Sequence, residues 1–322
     1  MKLPPFQLAA LDMTAGMLLV FDGPSGKILT EIPYPKGFTP MELAVHPFEE
    51  KIFLPSNGEK GMGALFIAHL GKGYLYQLPL VFPFFSQFAL APDASAAYFA
   101  DGGGQLYQLD LHTAALTPWG RTECACCVGL AAGTDAVYSV WEYGNRGFLA
   151  IFDSLGNLCS QHLLPAIPTN IRISRKGHLL IPVTSNEPIG EGLMHIKVSP
   201  GENRQPIQAH YFMYTDKVSL NTAYPCYVAL SPEEHLIYLV NEDLPSIALL
   251  DLEKQRLLRQ IRTPYAVTCL QVLPEGAYCL AASFDSPELL LMDLLDGSLV
   301  CTTHIGRKLL PYIAILPLPP SL

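Results

Sequence analysis

Seven polar residues recur at matching points along the chain: Asp12, Asn57, Asp101, Glu142, Asn186, Asn241 and Asp285. Each closes an apolar run, and Glu187, Glu242 and Asp243 add charge beside them. Carboxylates and amides collected at one place can bind a cation, a polyamine, a sugar or a basic peptide through charge and hydrogen bonds. The same residue types also end strands by accepting backbone N–H groups of the following turn. Both readings stay open from the sequence.

Sulfur and imidazole give weaker signals. Cysteines stand at 124, 126, 127, 159, 226, 269, 279 and 301. Thiolates can bind metal or act as nucleophiles. ECACC (123–127) is not paired with a second C-x-x-C, however, and no histidine is fixed nearby, so buried reduced thiols and no metal are expected. The nine histidines, at 46, 69, 112, 162, 178, 195, 210, 235 and 304, make no H-E-x-x-H pair, and each reads as a single surface or turn residue. Asp101-Gly102-Gly103-Gly104 resembles a phosphate loop, but no helix pattern follows it, so a hairpin turn is expected. No cofactor is expected.

The elements that must position these residues repeat. Apolar first strands begin LAVHPF at Leu43, FALAPD at Phe88, VGLAAG at Val128, IRISRKG at Ile171, VALSPE at Val228, LQVLPE at Leu270 and IAILP at Ile313. Anchored on Val45, Leu90, Leu130, Ile173, Leu230, Val272 and Ile315, the steps are 45, 40, 43, 57, 42 and 43 residues. Each unit holds four short runs rich in Val, Ile, Tyr and Phe, broken by Pro or Gly. Repeats of this length with four strands are propeller blades. The spacing predicts an all-β, seven-bladed β-propeller with four antiparallel strands per blade, read as one domain over 1–322.

The seventh unit has only its first strand at the C-terminus. Its partners are expected at the N-terminus: FQLAALDM (6–13), GMLLVFD (16–22) and ILTEIPY (28–34). One C-terminal and three N-terminal strands would thus close the last blade and remove an open sheet edge. Third strands often end in Asp, at 22, 110, 153, 251 and 293, where a carboxylate can hold the next turn.

YVALSPEEHLIYLVNEDLPSIALLDLEKQRLLRQI (227–261) resembles the repeat of YVTN-type seven-bladed propellers, through Ser231-Pro232, Tyr238-Leu239-Val240-Asn241 and the Asp251 turn. Units at 88–118 and 270–304 match more loosely. The resemblance implies fold. It leaves function open, because the architecture hosts binding modules, scaffolds and enzymes.

Propeller geometry places the loops between second and third strands on one face, beside the loops that link blades. An acidic channel mouth of Asp12, Asn57, Asp101, Glu142, Asn186, Asn241, Glu242 and Asp285 is therefore expected to bind ligand. The fourth step is about 15 residues longer than its neighbours, and the excess falls largely in 199–225. Phe212, Tyr214 and Tyr224 make that stretch apolar enough to lie over the mouth or to dock a partner, or it packs on its own blade.

Composition narrows the function classes. The 322 residues are 50% hydrophobic and 15% charged, with net charge -9. Phosphate binding needs a basic footprint, so no nucleic-acid partner is expected. No apolar stretch approaches 18 residues, so no membrane span is expected. The N-terminal apolar run is interrupted by Pro4, Pro5, Asp12 and Gly16, and reduced thiols fit a cytoplasmic protein. The sequence thus points to a non-catalytic propeller binding a protein partner or a small cationic or polar ligand. A lactonase-like hydrolase, with Glu142, Glu187 or Glu242 as general base, is the alternative. It lacks an evident basic residue for an anionic sugar lactone. A redox-assembly subunit, with the cysteines or Tyr227 and Tyr312 near a partner's cofactor, is a third possibility.

Overall fold

The middle strands of each repeat are almost wholly apolar, as in MLLVFD, SIALLD and ELLLMD. Strands covered on both faces read as continuous hydrophobic runs, and these are buried along their lengths. The outer strands, such as Arg256–Arg262, keep mostly exposed side chains. Stacked blades follow from this gradient. In the computed structural model the fold is an all-β, seven-bladed β-propeller of four-stranded antiparallel blades. It describes residues 5–12, 15–59, 61–124, 126–184, 191–198, 209–213, 224–284, 286–304 and 309–316.

The blades fall into two compact units. The first comprises residues 1–82 and 262–322 and carries three blades. Blade 1 is built on Lys51–Gly58 and Met62–His69, with Tyr74–Gln77 outside. Its inner edge is split into Phe38–Pro40 and Ala44–Val45. Blade 6 runs Cys269–Val272, Tyr278–Ala282, Glu288–Asp293, Leu299–His304. Blade 7 is the expected composite: Leu309–Leu316, Gln7–Asp12, Met17–Asp22, Ile28–Pro33. Its two termini pair antiparallel, with Leu8 opposite Ile315, Ala9 opposite Ala314 and Ala10 opposite Ile313.

The second unit, residues 83–261, carries blades 2 to 5. Blade 2 runs Phe85–Leu90, Ala96–Asp101, Gln105–Asp110, Ala115–Arg121, and blade 3 runs Cys126–Ala132, Ala136–Tyr143, Arg146–Asp153, Leu158–Leu164. Blade 5 runs Pro225–Leu230, Leu236–Asn241, Ser246–Asp251, Arg256–Arg262. Blade 4 holds His178–Thr184, Gly192–Lys197 and Ala209–Met213, with an inner edge split into Ile167–Pro168 and Arg172–Ile173.

The stretch 199–225 is therefore more than a loop. Ala209–Met213 supplies the outer strand of blade 4 and places Phe212 opposite Leu193. Without it, Gly192–Lys197 would present an open edge. Tyr214 lies outside the described residues.

All five third-strand aspartates hold turns, as the repeat predicts. Asp22 accepts from the Ser25 amide, Asp110 from His112 and Thr113, and Asp153 from Leu155 and Asn157. Asp251 accepts from Lys254 and Asp293 from Leu295. In the Asp153 turn, Gly156 has φ of 85°. A Cβ there would fall 1.9 Å from the Trp119 carbonyl oxygen, so only glycine fits.

One expectation fails in blade 4. His178 and His195 are not single residues: His178 Nδ1 lies 2.7 Å from His195 Nε2, and His195 stacks on His210 at 6.1 Å between ring centroids. His195 pairs with His210 across one strand boundary and lies diagonal to His178 across the other. Linear spacing hides such cross-strand neighbours. Burial, then His178, His210 and Lys197, lowers the His195 pKa to about 4. The His178 pKa is lowered too, by burial first and then by Lys197 and Lys176, against the opposing pull of Glu234.

Above the ordinary histidine pKa both folded and unfolded states hold neutral His195. Between about 6.5 and 4 the unfolded chain takes up a proton that the folded chain resists, so stability falls as pH falls. Chemical denaturation should therefore lose about 2 kcal/mol between pH 7 and pH 4.5 through this residue. His195→Gln should flatten that part of the profile. An unchanged pH slope in the variant would contradict the assignment.

Candidate functional site

Five of the residues that close the second strands are described; they lie at or next to strand ends, and three of them hold their own turns. Asp12 ends Gln7–Asp12, and its Oδ1 accepts the Ala15 amide at 2.9 Å. Asp101 ends Ala96–Asp101 and accepts the Gly103 and Gln105 amides at 2.8 and 2.9 Å. The glycine run after Asp101 is thus the turn between Ala96–Asp101 and Gln105–Asp110. Asn57 is buried within Lys51–Gly58, opposite Thr39 on one side and Gly63 on the other. Asn186, Glu187 and Asp285 lie outside the described residues. Asp12 and Asn57 belong to the three-blade unit, and Asp101, Glu142, Asn241 and Glu242 to the four-blade unit.

In the four-blade unit Glu142, Asn241, Glu242 and Asp243 group around Tyr224, just before the inner strand of blade 5. Asn241 is fully buried. Its Oδ1 accepts the Tyr224 and Asp243 amides, each at 3.0 Å, which ties the entry of the inner strand to the turn after the second strand. Its Nδ2 is buried and makes no hydrogen bond to a described residue. Tyr224 is 41% exposed. Its phenol is pushed up by burial first, and then by Glu242, Cys226, Glu142 and Asp243. Carboxylates from blades 3 and 5 therefore act on one ring, and an anion at that point costs more than in water. Glu142 also sits opposite Cys126, whose thiol is raised by partial burial and by that carboxylate. Among the described residues, no ion pair engages Glu142 or Asp243.

The cysteines divide by burial. Cys127 and Cys269 are buried, and desolvation raises the Cys127 thiol far above its ordinary value. A thiol so placed stays protonated and is inert. Cys126 is exposed. Among the described residues, no group of three His, Cys, Asp or Glu side chains is placed to hold a metal ion.

Blades 4 and 5 are locked together next to Tyr224. Thr169 Oγ1 donates to the Pro225 carbonyl, and Asn170 Nδ2 donates to the Cys226 carbonyl at 3.1 Å. Arg172, on the inner edge of blade 4, donates to the Tyr227 hydroxyl at 3.1 Å with its guanidinium 5.6 Å from that ring's centroid. Alignment of the strand-entry residues missed this cation, because it stands two residues further along the strand than Asn170. Phe212 lies on the outer strand of blade 4, whereas Tyr224 immediately precedes the inner strand of blade 5.

Comparison with known proteins places the fold. No family model matches the chain, and no curated protein matches it. A solved protein from Lactobacillus plantarum superposes with a TM-score of 0.76 at 12% identity, covering 98% of this chain and 100% of that one. A proposed 6-phosphogluconolactonase from Bacteroides fragilis gives 0.68 at 13% identity, over 97% and 98% of the two chains. Hydrazine synthase from Kuenenia stuttgartiensis gives 0.68 at 13%, over 87% and 90%. At such identities the likeness is one of fold.

Asn241 joins the start of the blade 5 inner strand to the turn after its second strand. Replacing it with alanine leaves two backbone amides without their acceptor, so Asn241→Ala should cost about 2 kcal/mol in chemical denaturation. A loss below about 0.5 kcal/mol, the range of ordinary surface substitutions, would show that water replaces the amide freely.

Proposed function

We propose that this protein is a non-catalytic, YVTN-type propeller that binds a small polycation or a basic segment of a partner protein at the acidic mouth around Tyr224. The observation that carries the reading is the joint action of Glu142, Glu242 and Asp243 on the Tyr224 phenol. Carboxylates on rigid strand ends give a fixed negative field, and an exposed aromatic face beside them suits an ammonium or guanidinium ion. The overall charge of -9 has the sign that steers such a ligand. Asp12, Asn57, Asp101, Asn186 and Asp285 extend the proposed ligand surface, and Phe212 and Tyr214 the proposed partner surface. The proposed compartment is the cytoplasm.

The alternative reading is a lactonase-like hydrolase with Glu142 or Glu242 as general base. Arg172 supports it, because a guanidinium on an inner strand can hold an anionic sugar.

Spermine titration by calorimetry at low salt separates the two. Binding should weaken steeply as salt is added, because exposed charges are screened beyond a Debye length of about 10 Å at 0.1 M. Glu142→Gln with Asp243→Asn should weaken it by about tenfold, the equivalent of about 1.4 kcal/mol. Absence of binding by spermine or an oligolysine peptide would overturn the proposal. Hydrolysis of a phosphorylated sugar lactone that is lost in Glu142→Gln or Glu242→Gln would replace it with the enzyme reading.

A further inference from the structure

The three-blade unit contains a cavity of about 190 Å³ between blades 7 and 1. Val20 and Leu316 come from blade 7, and Val45 and Leu70 from blade 1, and all four belong to or pack against the core those blades share. The volume would hold about six waters, or an organic ion of five or six heavy atoms. Gln7 and Thr30 add polar groups to the blade 7 wall.

The blade 1 side carries two carboxylates, Glu49 and Glu50. Glu49 is already paired, with Lys51 at 2.5 Å and His46 at 3.5 Å. Glu50 makes no ion pair or side-chain hydrogen bond with any described residue. No lysine or arginine lines the cavity among the described residues. The Glu50 charge is therefore the uncompensated one at this cavity.

Gly71 makes room for it. A Cβ on Gly71 would fall 2.4 Å from Glu50 Oε2, so the carboxylate rests against the glycine. The Gly71 φ lies outside the left-handed region, and its backbone does not itself require glycine. The Glu50 backbone is fixed independently, because its carbonyl accepts the Leu70 amide at 2.9 Å. The arrangement is an open cavity with mixed polar and apolar walls, whose exposed Glu50 carboxylate rests against Gly71.

We infer that this cavity is a second binding site, specific for a compact primary alkylammonium ion, with the ammonium on Glu50 and the alkyl chain among Val20, Val45, Leu70 and Leu316. The charge favours a cation over an anion, and the walls favour an alkyl chain over a bare metal ion. An ammonium has three donors for Glu50, Gln7 and Thr30. The source can be a free small amine or a lysine side chain of another protein.

The test is an NMR titration of the full chain with n-butylammonium, n-butanol and butyrate, read at the methyl groups of Val45 and Leu316. Saturable shifts with n-butylammonium, at least about fivefold weaker or absent with the two others, are expected. Glu50→Gln removes the charge, and Gly71→Ala displaces the carboxylate. The atom in the way in Gly71→Ala ends a flexible side chain, so the variant should keep the wild-type melting temperature and lose the amine. A parallel titration with N-acetyl-lysine amide identifies the source. Binding assigns the site to protein lysines, and exclusion assigns it to free amines. The inference is overturned if n-butylammonium leaves both methyl groups unmoved, if n-butanol binds as well, or if both variants bind unchanged.

Discussion

The pairing of Gln7–Asp12 with Leu309–Leu316 is the constraint on which the three-blade unit rests. Two segments from opposite ends of the chain become adjacent strands of one sheet, in a register that sets Ala9 against Ala314. Leu8, Ala9, Ala10 and Leu11 are all at most 1% exposed, so that strand cannot stand at an open edge. The same pairing carries Ala314 and Leu316 into the core shared with Ile52, Leu54 and Phe66 of blade 1. It also fixes one wall of the amine cavity through Leu316. A backbone ladder thus determines both packing and a binding surface.

Much of this was legible in the sequence, because blades repeat. The period located the seven first strands, and the incomplete seventh unit required N-terminal partners. The aspartates at 22, 110, 153, 251 and 293 could be assigned to turns because a carboxylate at a strand end accepts the backbone amides of the turn that follows. The outer strand Ala209–Met213 was harder, since long flanking insertions put it out of phase with the repeat. The His178–His195–His210 stack was invisible for a different reason. Cross-strand contacts depend on register, and register between neighbouring strands is not written as a linear spacing.

The candidate mouth was legible as a set of strand ends but not as an electrostatic object. Alignment gave Asp12, Asp101 and Asn241 equal standing with Glu142 and Glu242. The structure separates them by what their oxygens already do. Asp12, Asp101 and Asn241 hold turns, whereas Glu142 acts on Cys126 within its own blade and on Tyr224 of blade 5. The turn-holding residues make the site rigid, and the remaining carboxylates give it charge. The Glu50 notch went unseen because Gly71 and Glu50 are distant in sequence and meet only when the outer turn of blade 1 folds back.

Hydrogen exchange measured by mass spectrometry tests the joining of the chain ends most directly. The account predicts that peptides covering Gln7–Asp12 and Leu309–Leu316 exchange together with Met17–Asp22, in one cooperative step that requires the unit to unfold. Exchange of Leu309–Leu316 orders of magnitude earlier than Met17–Asp22, through local opening alone, would contradict it.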